Sequence, residues 1–174
     1  MSRFKSKHKA YNPKKKKDVP LWILDTNFLT VTSFNPDNCT EERKTYHSDC
    51  KKYHLHYTAD KYPDRLRRLV NEGEIIQYLD DLELKVSEAI SRQVELWKQT
   101  DSCYQKAVLI GDAKKMIGLE NCFVGMAREI MFECMVYIWC SMAVPSGAAV
   151  DSNCIKNADN ALYNSKYLIT VLIA

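Results

Sequence analysis

The chain has 174 residues, 46% hydrophobic and 27% charged, a length and balance that exclude both wholesale disorder and a disulfide-stapled miniprotein. Five glycines and five prolines are too few for a turn-rich β-sandwich and favour long helices. The net charge of +3 hides an asymmetry: residues 1–17 carry eight basic groups and no acid, leaving 17 basic against 22 acidic residues elsewhere. Seven cysteines, odd in number and with no CxxC spacing, suit free thiols in a reducing compartment. No apolar run follows the N-terminal charges as in a secretory signal, so the cytoplasm is the expected address.

Taken in chain order, residues 1–18 form a Lys-rich arm. Lys14, Lys15, Lys16 and Lys17 could attach it to a polyanion such as DNA, because each neutralised phosphate releases a counterion. Residues 19–53 open with Leu21-Trp22-Ile23-Leu24, which suits a short strand or docking segment, and continue as a polar loop through Pro36, Asp37 and Asn38. Residues 54–142 read as a helical body. Pro63 and Asp64 suit the first turn of a helix over 63–72. Ile75, Leu79, Leu82, Val86, Ile90 and Trp97 then recur at helical spacing, predicting a long helix over 74–100.

A short helix over 103–110 ends at Gly111, and Asp112 has the chemistry of an N-cap for a last helix to about 142. Its stripe is Met116, Phe123, Ala127, Ile130 and Cys134. Residues 130–144 are apolar nearly all round and suit core packing or a homo-oligomer interface. They fall short of the roughly 20 apolar residues of a membrane span, so no membrane contact is expected. Pro145-Ser146-Gly147 breaks the chain before an extension over 143–174, with a short helix near 156–164 and an apolar run from Tyr167 to Ile173. Together these elements predict an all-α fold. The organisation is a basic arm and linker over 1–53 with room for one short strand, an antiparallel helical hairpin or small bundle over 54–142, and the 143–174 extension.

The spacing His54-x2-Tyr57, Leu69-Val70-x2-Gly73-x-Ile75 and Tyr78-Leu79-x-Asp81-Leu82 resembles the TnpV family of transposon-encoded proteins. The likeness continues through Glu88, Ser91-Arg92 and Val94. After a less similar stretch it resumes with Asn121, Ala127-Arg128-Glu129-Ile130 and Tyr137. It covers residues 54–138, about half the chain, and leaves both flanks outside. The resemblance implies a helical fold and a setting on a bacterial mobile element; that setting and the charge distribution together suggest DNA or the element's recombination or transfer proteins as partners. It implies no reaction, cofactor or catalytic residue.

Three groups carry candidate chemistry. Ile23-Leu24-Asp25-Thr26-Asn27 looks like the opening of PIN-type nucleases, yet a hard cation needs several oxygen ligands, and only Asp159 offers a distant second acid. As a plain motif it is a strand-ending turn. Cys39, His47, Cys50 and His54 carry zinc-ligand atoms but lack a paired CxxC anchor. Arg65, Arg67 and Arg68 could extend a phosphate-facing surface or form a solvated helix face. The resulting expectation is a binding protein of a mobile element, with a PIN-like nuclease on Asp25 and a helical homo-oligomer through 130–144 as rivals.

Overall fold

The structure is a computed structural model that describes residues 2–137. The expected helix near 156–164, the apolar run at 167–173, Asp159 and residues 138–144 lie outside those residues. The chain forms two compact units, Met1–Leu84 and Lys85–Ala174.

The all-α expectation is overturned. Six strands precede the helices: β1 (Arg3–Lys5), β2 (Lys9–Asn12), β3 (Lys17–Pro20), β4 (Trp22–Asp25), β5 (Thr30–Asn35) and β6 (Thr40–Thr45). β1, β4, β5 and β6 form one antiparallel sheet in that order, and β2 pairs with β3. The N-terminal stretch read as an arm is therefore a folded ribbon. Its two limbs run on from the β1–β4 pair into the β2–β3 pair with one residue inserted. Ser6 donates its N–H to the carbonyl of Trp22, while Leu21 donates to that of His8, so Lys7 stands opposite nothing. This is a β-bulge, which bends a ribbon and sharpens its twist. The N–H that it leaves outside the ladder donates to Asn71 Oδ1 at 2.8 Å.

All three tight turns use one device. Asn12, Asp25 and Asn35 end their strands, and each side-chain oxygen accepts a main-chain N–H from the residue two positions on. Four residues later Lys16, Leu29 and Cys39 take positive φ values of 52°, 50° and 53°, which return the chain into the next strand. The Asx side chain supplies the local bonds that make such turns close without glycine.

Pairing puts alternate residues on opposite sheet faces. Phe4, Leu24 and Val31 stand in one cross-strand row and are almost fully buried. Lys5, Ile23, Thr32 and Arg43 form the neighbouring row on the opposite face.

The helices are α1 (Asp49–Lys61), α2 (Pro63–Glu72), α3 (Ile75–Thr100), α4 (Ser102–Ile110) and α5 (Ala113–Met131). α2 starts at Pro63 as expected and stops at Gly73, whose φ of 77° closes the helix. α2 lies against β1 and β4. A Cβ on Gly73 would come within 2.7 Å of Trp22 Nε1, so the glycine serves both the turn and the close approach of helix to sheet. α1 begins five residues before the expected helical body. In the second unit Asp101 and Asp112 cap α4 and α5, accepting the N–H of Tyr104 at 2.7 Å and of Lys115 at 3.0 Å. Val94, Tyr104, Phe123 and Ala127 form this unit's core, with Ile90, Trp97 and Met116 packed around them. After α5 the chain widens to i→i+5 bonding over Phe132–Val136.

Candidate polyanion-binding cleft

The Lys5–Ile23–Thr32–Arg43 row lies on the face away from Phe4 and Leu24. Because the ribbon bends at Lys7, the tip of the β2–β3 hairpin curls over this face and reaches β6. Asn12 Nδ2 donates to Glu41 Oε1 at 3.2 Å, and Lys15 Nζ meets the same oxygen at 2.5 Å. The result is a cleft of about 750 Å³. Its apolar lining comes from Val19, Ile23 and Phe34. Six cations, Arg3, Lys5, Lys9, Lys15, Lys17 and Arg43, line it against the acids Asp18 and Glu41. Cations converging on a concave, low-dielectric surface focus a positive field and raise the local concentration of anions.

Lys15 and Lys17 of the expected DNA-contacting residues therefore line the cleft, with Lys14 and Lys16 exposed on the same turn. The structure does not bring Arg65, Arg67 and Arg68 to them. Arg67 and Arg68 are exposed on α2 and paired with Asp64 and Glu72. Arg65 stacks over the Tyr78 ring, 5.5 Å from its centroid, which makes it a packing residue more than part of a solvated face. Sequence reasoning missed Arg3, Lys5, Lys9 and Arg43 as members of one surface. No local signal marks them, because β6 is exposed at every residue and only the strand register brings the four together.

Lys44 instead joins an ionic group centred on the buried Lys51. Its Nζ and that of Lys51 each sit 2.7 Å from Asp80, and Lys51 also reaches Glu83 at 2.7 Å. The Lys51 side chain is only 7% exposed, and both amines approach the face of the Tyr46 ring. Burial opposes charge on Lys51, but the hydrogen bonds and fields of Asp80 and Glu83 outweigh it and hold the ammonium above its ordinary value. Burial likewise works against Asp80, and the bonds from Lys44 and Lys51 overcome it and hold the carboxyl low. Glu83 is held low chiefly by its bond from Lys51, then by one from Ser48. Burial, then the Asp80 charge, pushes the Tyr46 phenol well above its usual value.

The metal-type residues are dispersed. Asp25 spends one oxygen on the N–H groups of Asn27 and Phe28, and its other lies 3.8 Å from Arg3 Nε. Cys39 closes the β5–β6 turn and His47 is exposed. Cys50 is buried in α1, and His54 is fully buried with its Nε2 2.6 Å from Tyr78 Oη and 3.3 Å from Thr58 Oγ1. Among the described residues no group of three or more His, Cys, Asp or Glu could hold a metal ion. All strand pairs among them are antiparallel. No described helix is long and apolar enough to cross a membrane. Comparison of the chain with known protein families, curated proteins and solved structures finds no match.

Proposed function

We propose that this protein binds nucleic acid through the concave face of its N-terminal sheet and serves as a cytoplasmic accessory factor of a bacterial mobile element. The convergence of six cations on one cleft supports the binding reading. The mobile-element setting rests on the TnpV-like spacing at 54–138. Two of the positions that carry that spacing, His54 and Tyr78, hydrogen-bond to each other inside the first unit, as scaffold residues would.

The test is fluorescence anisotropy of the full chain with a labelled oligonucleotide across a salt series. Affinity should fall as a straight line in log–log form, because counterion release dominates such contacts. Replacing Lys15, Lys17 and Arg43 together by alanine should weaken binding at least about tenfold and flatten that line. Replacing Arg67 and Arg68 should change it by less than about twofold, since neither lines the cleft. Salt-independent binding, or a triple variant that binds as the parent does, refutes the reading.

A protein partner is favoured by a separate observation. Val108, Leu109 and Ile110, consecutive at the end of α4, are 45%, 84% and 74% exposed. Exposed apolar side chains gathered at one place mark contact surfaces. Recombination or transfer proteins of the same element are the proposed partners there.

A further inference from the structure

We infer that the cleft takes a single strand and not a duplex, and that Glu41 occupies the place of one phosphate until the strand displaces it. This rests on the nucleic-acid reading and specifies its ligand. Three observations carry it.

The first is capacity. A cleft of about 750 Å³ is in the range that encloses a small ligand, roughly 300–1,000 Å³. A few nucleotides of one strand fit such a space, whereas a duplex is a convex cylinder whose major groove alone is about 12 Å wide.

The second is the direction of the charges. Lys5 and Arg43 lie in one cross-strand row on the sheet side, while Lys15 reaches in from the hairpin tip. Cations on two sides of a concave surface suit a chain passing between them. Phosphates on the outside of a cylinder would meet only the rim. Phe34, 5% exposed, belongs to the lining and offers no open ring for stacking. Binding then comes mainly from the phosphates, with bases directed outward and little sequence preference.

The third is Glu41. Its Oε1 accepts from both Lys15 Nζ and Asn12 Nδ2, a cation and a neutral donor converging on one anionic oxygen. Asn12 is 2% exposed, and its side-chain oxygen is already fixed by the N–H groups of Lys14 and Lys15, so its amide is held facing Glu41. A phosphate oxygen uses the same two donors. The carboxylate therefore satisfies Lys15 in the free protein and competes with the strand in the bound one.

The experiment compares the full chain, Glu41→Gln, Lys15→Ala and the double variant against a labelled single strand and the same sequence as a duplex, at two salt concentrations. The single strand should bind at least about tenfold tighter than the duplex, with a log–log salt slope of about −3 for four phosphate contacts. Glu41→Gln should tighten single-strand binding about fivefold, and that gain should shrink when Lys15 is alanine, because the two residues act on one another. Equal or tighter duplex binding overturns the single-strand assignment and leaves the nucleic-acid reading standing. No binding of either form removes that reading itself. If Glu41→Gln weakens binding while its thermal melt matches the parent, Glu41 is a latch that shapes the cleft and its role as competitor is wrong. Where the melt is lowered, the comparison is made well below both melting temperatures: tighter binding by Glu41→Gln there supports competition, and weaker or parental binding opposes it.

Discussion

Lys51 shows how one buried cation fixes the geometry of the first unit. It rises from α1, is nearly sealed from water, and answers two carboxylates of α3 that are 40% and 44% exposed. Removing it takes the cation from Glu83 and leaves Lys44 alone to answer Asp80 and the Tyr46 ring. Lys51→Met keeps the aliphatic stem, so the loss isolates the ammonium, and stability should drop by about 1–3 kcal/mol at neutral pH. The partial exposure of Asp80 and Glu83 keeps the figure below that of a fully enclosed pair. The pH dependence follows from the directions of the shifts. Asp80 and Glu83 are depressed, so their contribution is present above about pH 4 and disappears as pH falls through their folded values. Lys51 is raised, so its contribution is present below about pH 10 and disappears as pH climbs through its folded value. Urea melts at pH 7 and pH 3 should therefore show the gap between parent and Lys51→Met closing at the acid end. A gap unchanged at pH 3 would mean the methionine loses stability through packing, not charge.

At the level of elements, the helices after α1 are legible in the sequence, and of the strands only β4, which the apolar run Leu21–Leu24 marks. The starts of α2 and α5 follow from Pro63 and Asp112, and the ends of α2 and α4 from Gly73 and Gly111, which are left-handed with φ of 77° and 71°. Capping chemistry is local, so a sequence states it outright. The other strands escape because β6, Thr40–Thr45, is exposed at every residue, and β1 and β2 each bury one side chain fully. A strand with no apolar alternation carries no period-2 signal. The lysine run has the composition of a solvated arm although it is the turn of a hairpin, because its Asx residue, Asn12, looks like any loop asparagine. The cleft was half legible for the same reason: Lys15 and Lys17 were singled out by density of charge, while Arg3, Lys5, Lys9 and Arg43 join them only once the register is known. The glycines give a direct check on how the elements meet. Gly73→Ala should cost about 2–4 kcal/mol, combining left-handed strain with collision against Trp22. Gly111→Ala, where a Cβ would meet nothing, should cost only about 1 kcal/mol. Gly118→Ala and Gly125→Ala, in the interior of α5 with open space around them, should each gain about 0.5–1 kcal/mol. Thermal melts of the four variants rank these effects, and Gly73 behaving like Gly111 would disprove the helix–sheet contact at Trp22.

Across the whole molecule, charge is concentrated in one segment. Residues 1–45 hold ten basic and five acidic side chains, whereas residues 85–174 hold nine of each. The excess that makes the chain cationic thus belongs to the strands, and the bulge at Lys7 turns it into a concave surface. A field of this kind acts over about 10 Å at 0.1 M salt, so an incoming strand should be drawn to the sheet and not to the neutral second unit. Amide hydrogen exchange with a saturating single-stranded oligonucleotide at low salt locates the contact without any substitution. Protection should increase over 9–20 and 40–45, the segments that carry Lys9, Lys15, Lys17 and Arg43, since bound ligand suppresses local opening where it bridges two elements. Exchange over 113–131 should stay as in the free protein, because α5 contributes nothing to the cleft lining. Protection confined to α5 would move the interface to the second unit and leave the basic face of the sheet as a solvated surface.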